Sequence, residues 1–421
     1  MSTEISSPPA AAPSRSATVR VLSTLLPGML VLYGLYQGIQ QVLVPAQLQA
    51  IDPTAKVANL ALVALVSSVA GTIALPLGGA LSDRTHGRFG RRGPWLFVSS
   101  VLCALVCVVL AQATSVPTMV IGIGFLWFFA NIYQGVIYAV IPDRIPESLR
   151  GVASSVVGLG LPLGVLIFVN LVTITGQFWG YLSIGAFLVI ATVALVVIAP
   201  EGRVERPVRV PRTTKPSFIK MTRSFLSGFS SRDFTMVFLS RVAFFAGIFA
   251  ASSYVFYVIT DYIGVENTPS GQAETSVATI ATTNTISQII AIVIMGWVAD
   301  RTNRRKLIVA LASLGMAVAF IVPFVLPTWT GMLIYAGVGG AAAGVYVAID
   351  IAIMTLVLPN KGFEGRDLAL LALATSVPAA FAPAIGAAFY EATGGFTTTF
   401  VFASVMAVLG AVFMFMVRKV R

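Results

Sequence analysis

Hydropathy divides this chain into about twelve apolar runs, each near the ~20 residues that a helix needs to cross ~30 Å of hydrocarbon. They fall at about 20–43, 58–81, 94–112, 117–141, 151–174, 178–199, 233–260, 275–299, 307–327, 330–357, 365–390 and 396–417. A chain of 421 residues that is 57% hydrophobic and only 10% charged cannot hide such runs beneath a polar coat. In lipid every backbone N–H and C=O must be bonded inside the structure, so runs of this length predict helices. The expected class is an all-α membrane protein of twelve transmembrane helices.

Two stretches 217 residues apart repeat one another. Gly79-Ala-Leu-Ser-Asp83-Arg84-Thr85 is followed by Arg88, Arg91 and Arg92, and Gly296-Trp-Val-Ala-Asp300-Arg301-Thr302 by Arg304, Arg305 and Lys306. Pro142 and Pro359 keep the same offset, so the register extends beyond one motif. Six spans per half return the chain to its starting side, so the halves repeat in parallel orientation, an arrangement that points to transport between them. The expected organisation is a disordered tail over 1–18, a six-helix half over 19–199, a linker over 200–232, a second half over 233–417 and a tail over 418–421. The first 18 residues are Ser, Pro and Ala-rich without an apolar core, unlike a cleaved signal peptide.

The net charge of +11 invites a nucleic-acid reading, but its distribution argues otherwise. All but two of the Lys and Arg residues fall in the termini and the even-numbered connections, counting Arg20 and Arg366 at the very starts of their runs; Lys56 lies in an odd-numbered connection and Arg241 well within an apolar run. This asymmetry predicts both termini and the 200–232 connection on the cytoplasmic side of the plasma (inner) membrane, with the basic charge recording orientation and lipid contact rather than nucleic acid. His86 is the one histidine, and no paired carboxylates or nucleotide-binding loop occur, so neither an enzyme nor a primary pump is expected. Cys103 and Cys107, one helical turn apart, read as packing residues. No cofactor or metal is expected, and nothing requires more than a monomer.

The loop Gly79 to Arg92 resembles the loop between the second and third helices of the major facilitator superfamily. A closer resemblance is to bacterial glycoside-pentoside-hexuronide and sucrose-type symporters. It rests on Ser82-Asp-Arg-Thr-His-Gly-Arg-Phe-Gly-Arg-Arg-Gly-Pro-Trp95, Ile141-Pro-Asp-Arg-Ile-Pro-Glu147 with Arg150-Gly151, and Gly365-Arg-Asp-Leu-Ala369 followed by Pro378 and Pro383. The chain departs from sodium-coupled members: its second run offers only Asn59, Ser67, Ser68 and Thr72, without an acid. The resemblance implies that Asp83 meets the start of the eleventh helix across the halves. Asp83, Arg84, Arg88, Arg91 and Arg92 are thus expected gate residues, echoed by Asp300, Arg301 and Arg305, with Asp143 and Arg150 as a second clamp.

Of the 16 acids, Asp350 alone lies deep in a span, and Arg241 lies at a matching depth from the same side. A charge there costs ~2.5–3.5 kcal/mol or more, so an Arg241–Asp350 pair lining the cavity of the second half is expected, with Asp350 the protonation site. Expected substrate contacts are Tyr36, Gln37, Gln41, Asn131, Gln134, Tyr138, Asn170, Tyr257, Asn284, Gln288 and Tyr346. Amides and rings suit a neutral, hydroxyl-rich or amphipathic ligand, whereas phosphate would call for inward Arg or Lys. The expectation is a proton-coupled secondary transporter for a small sugar-like or glycoside solute, working by alternating access. A drug or metabolite exporter is the alternative, hinted at by Gly158-Leu-Gly160-Leu-Pro162-Leu-Gly164, and a non-transporting sensor the third reading.

Overall fold

Lipid leaves each apolar run one way to satisfy its backbone, and all the long elements among the described residues are α-helices. The structure, a computed structural model, describes residues 15–87, 89–202, 229, 231–302, 304–357 and 364–418. The greater part of the expected linker, 203–228, lies outside them, as do 1–14 of the expected tail.

Helix α1 runs as Arg15–Gly38, a π-turn at Ile39–Leu43, and Val44–Ile51. It therefore starts inside the expected tail and extends beyond the expected end at 43. The next helices are α2 Lys56–Arg84, α3 Gly93–Ala111 and α4 Val116–Arg144. Pro at the first turn of α3 and α4 fits the missing donors of a helix start, and the Ser115 hydroxyl accepts from Thr118 N at 3.4 Å.

From Glu147 to Ile198 the chain is helical for 52 residues, more than twice what ~30 Å of hydrocarbon requires. Gly176, at φ 74°, breaks that run into two crossings. Helix α5 comprises Arg150–Gly164 and a π-turn at Val165–Val169, continuing to 175, and α6 covers 177–198. The second half repeats the plan with α7 Arg232–Ser252, extended by Val255–Tyr257 and a π-turn at Val258–Gly264, then α8 Ala273–Thr302 and α9 Arg305–Val325. It ends with α10 Trp329–Leu356, α11 Glu364–Thr393 and α12 Thr397–Phe415.

Helices α1 to α6 pack on one another, as do α7 to α12, and α2 against α11 and α5 against α8 join the two sets. The tightest crossings occupy corresponding places in the repeat. A Cβ on Gly78 or Gly135 would strike the Ile132 or Leu75 carbonyl where α2 meets α4, and one on Gly340 or Gly344 would strike the Asn284 or Gln288 carbonyl where α8 meets α10. In lipid such small-residue contacts replace the hydrophobic drive for helix association. Gly344→Leu should therefore destabilise the fold by ~1–3 kcal/mol, read as a lowered unfolding temperature in detergent. An unchanged temperature would show that this crossing can separate.

Candidate central cavity and flanking charge clusters

Where the two sets of helices meet, they frame a partly open cavity of about 710 Å³. Tyr36, Gln37 and Gln41 of α1, Asn131 and Gln134 of α4, and Asn284 and Gln288 of α8 line it, as expected from their spacing. Gln40 lines it as well, and so do Ser67, Ser68 and Thr72 of α2, which were missed because short hydroxyls in an apolar run do not reveal which way they point. No charged side chain lines it among the described residues.

The amides are held in register by one another. Tyr36 donates to Gln134 Oε1 at 3.1 Å, Gln134 Nε2 donates to the Tyr138 hydroxyl at 3.1 Å, and the Tyr33 and Tyr138 hydroxyls lie 2.6 Å apart. Gln41 Nε2 donates to Gln37 Oε1 at 2.9 Å, and the Tyr36 and Trp127 rings stand 5.5 Å apart.

Four expected contacts lie elsewhere. Tyr138 is outside the lining, serving instead as the anchor of the Gln134 amide. Asn170 donates to Thr282 Oγ1 at 3.0 Å, bridging α5 and α8. Tyr257 is fully buried and donates to the Pro45 carbonyl at 3.1 Å. Tyr346 stacks on Phe244, ring centroids 3.7 Å apart, beneath the cavity. For Tyr138, Asn170 and Tyr257 a polar group that costs burial energy is satisfied by a neighbouring helix, which spacing along one helix cannot foretell; the Tyr346 ring is packed, but its buried hydroxyl has no hydrogen-bond partner among the described residues.

Arg241 and Asp350 form an ion pair, with side chains 7% and 13% exposed. Neither belongs to the cavity lining, which corrects the expected position: Phe244 and Phe245 of α7 and Val347 of α10, about one turn away, form the wall instead. Arg241 also donates to Thr375 Oγ1 at 2.9 Å and lies 5.4 Å from the Phe245 ring centre, so one guanidinium ties α7 to α10 and α11.

On the face carrying the basic loops, Arg92 is the hub. Only 4% exposed, it donates to Asp83 at 2.6 Å, to Asp143 at 2.8 Å through Nε, and to the Ser82 hydroxyl. Arg91 joins Asp143 from the other side. The Glu201 carboxylate accepts from the backbone N–H groups of Arg92 and Gly93 at 2.7 and 3.3 Å, capping the start of α3. Asp83 thus pairs within its own half rather than at the start of α11, and its side chain is 58% exposed. Arg84 and Arg301 are exposed and Arg305 is half-buried. Arg88 lies outside the described residues, as do the side chains of Arg150 and Asp300.

The opposite face joins the two sets of helices. Lys56 Nζ donates to Asp261 at 2.7 Å and to Gln49 Oε1 at 3.2 Å, and Thr260 donates to the same Gln49 oxygen at 3.2 Å. The Thr54 hydroxyl, with Ala55 N–H and the Asn59 amide, holds the nearby Asp52 carboxyl below the usual carboxylate range and fixes the turn that presents Lys56. The one signal for this cluster in the sequence was Lys56 itself, the single basic residue in an odd-numbered connection.

A family model described as Major Facilitator Superfamily matches residues 25–269 and 270–421. The general alpha-glucoside permease of Schizosaccharomyces pombe (strain 972 / ATCC 24843) is 24% identical over 240 residues, 50% of this chain and 43% of the permease, so the chain spans under half of that relative. Among solved structures, a bacterial homolog to the human lysosomal transporter Spinster, inward-facing and unoccupied, matches with a TM-score of 0.70 and 14% identity over 96% of this chain and 98% of that one. A peptide transporter, POT, in complex with sulfate matches with a TM-score of 0.72 and 15% identity over 92% and 93%. At these identities the structural likeness speaks to the fold.

Proposed function

The chain belongs to the Major Facilitator Superfamily and is a membrane transporter, and from that premise we propose that it moves a small neutral, hydroxyl-bearing solute by proton-coupled alternating access. The observation that carries the reading is the cavity between the halves, lined by amides, Tyr36 and Trp127 without a charged side chain among the described residues. Amides both donate and accept, as hydroxyls do, so each can replace water on a sugar ring. The name of the matched permease supports the same class.

The basic face is cytoplasmic in this reading, at the plasma (inner) membrane, because Lys and Arg concentrate there. Bonds between the halves gather on the opposite, outer face, at Lys56–Asp261, Gln49–Thr260 and Tyr257–Pro45. The conformation is then the inward-facing one. Closing the cytoplasmic side brings Asp83 toward the start of α11, while the outer contacts part.

Asp350 carries the coupling. Protonation removes its charge and releases Arg241, which frees α7 from α10; loss of the proton rejoins them. The test is uptake of labelled α-glucosides into vesicles holding the purified protein, with a proton gradient imposed and a panel of drugs run alongside. Gradient-dependent sugar accumulation supports the reading; drug transport without sugar transport replaces it with the exporter.

The outer latch makes a separate expectation. Lys56→Ala should weaken closure by about 1 kcal/mol, roughly a fivefold shift toward the outward-open state, because the pair is only partly shielded from solvent. Labelling of a cysteine placed at Ser253 from the outer side should speed up accordingly, and exchanging the two charges should slow it again. Equal labelling in all variants would remove Lys56 from the latch.

A further inference from the structure

The two sides of the cavity differ in chemistry. One wall, from α1 and α4, presents Gln37, Gln40, Gln41, Asn131 and Gln134. The facing wall, from α7 and α9, presents Phe244, Phe245, Ile248, Phe249, Met316 and Phe320, with no hydrogen-bonding group among those six. The amides of the second half sit apart on α8, where Asn284 already donates to the Ala336 carbonyl at 3.3 Å. Ser252 and Ser253, at the end of α7, bound this apolar patch, and Ser253 donates to the Phe249 carbonyl at 2.7 Å.

A fully hydroxylated solute touching both walls would leave hydroxyls unpaired against the phenylalanines, which is costly. One confined to the amide wall would leave the apolar wall exposed to trapped water. A solute with an apolar group on one side satisfies both, and 710 Å³ lies within the range that holds drug-sized ligands. Resting on the proposed sugar-type reading, we infer that the carried solute is a glycoside with an apolar aglycone. Its hydroxylated ring lies on the α1 and α4 wall beside Tyr36 and Trp127, and its aglycone lies on the α7 and α9 wall. Phe249, Ile248 and Met316 then set specificity for the aglycone, while Gln37, Asn131 and Gln134 recognise the ring. Halves that grip opposite ends of one solute are also coupled by it, since each must move with the part it holds.

Calorimetric titration of the full chain in lipid nanodiscs with glucose, phenyl α-glucoside, 2-naphthyl α-glucoside and 2-naphthol tests this. The naphthyl glucoside should bind at least ~10-fold more tightly than glucose, through the apolar area it buries. Phe249→Gln, or Ile248→Gln if the first variant folds poorly, should bring that ratio toward one; Gln37→Leu should weaken all three sugars together. Equal affinity for glucose and its aryl glucosides would overturn the aglycone site and leave the sugar reading standing. Binding of 2-naphthol as tight as that of its glucoside would overturn the pairing of walls. Failure of every glucoside to bind would overturn both.

Discussion

Asp350→Asn should abolish proton-driven accumulation while solute counterflow continues. Each coupled proton moving down a gradient of one pH unit supplies about 1.4 kcal/mol, a tenfold concentration ratio. Asn keeps the shape of the carboxylate and still accepts from Arg241, but it cannot take up and release a proton. Accumulation should therefore fall from about tenfold to the equilibrium ratio of one under that gradient. Arg241 sits at 6% exposure and loses its anionic partner in this variant, so stability must be followed in parallel. The double variant Arg241→Gln with Asp350→Asn removes the uncompensated charge and should regain stability without regaining coupling. Normal driven uptake by either variant would take Asp350 out of the mechanism.

Arg92→Met should destabilise the fold from its basic face. This guanidinium is 4% exposed and bonds Asp83, Asp143 and Ser82, joining the ends of α2 and α4 to the start of α3. Removing it leaves Asp143 with Arg91 as its remaining ion-pair partner, and Asp83 returns to water. The full cost of breaking a buried pair is ~3–5 kcal/mol; with these compensations ~2 kcal/mol is expected, seen as a lowered unfolding temperature. Arg92→Lys should rescue little, because an ammonium cannot reproduce the planar fork that reaches two carboxylates and a hydroxyl. A variant as stable as the parent would show that the cluster is a solvated charge group.

The all-helical architecture was legible in the sequence, because it follows from long apolar runs, a 217-residue repeat and alternating basic connections, and the family was legible in the resemblance of the Gly79 to Arg92 loop. The fifth and sixth crossings were read as separate runs, and Gly176 with its positive φ is the physical break between them. Individual site residues were less legible. Gln37 and Gln41 face the cavity while Asn170 and Tyr257 face partner helices, yet all four are polar groups in apolar runs. What separates them is the neighbour that satisfies each, which one strand of sequence does not contain. Likewise Arg241 and Asp350 matched in depth, but the stack of Phe244 on Tyr346 that sets the cavity wall above them depends on how α7 meets α10.

The central claim is that two six-helix halves rock about one cavity, opening one face as the other closes. Spin labels at Thr54 and Glu266 report the outer face, and labels at Ser155 and Thr355 report the basic ends of α5 and α10; all four positions are exposed, and the native Cys103 and Cys107 are buried. Distances measured by double electron–electron resonance, before and after adding a transported solute at acidic pH, should change reciprocally, the outer pair lengthening as the basic-face pair shortens. Both distances staying fixed in protein that transports, or both lengthening together, would contradict the account.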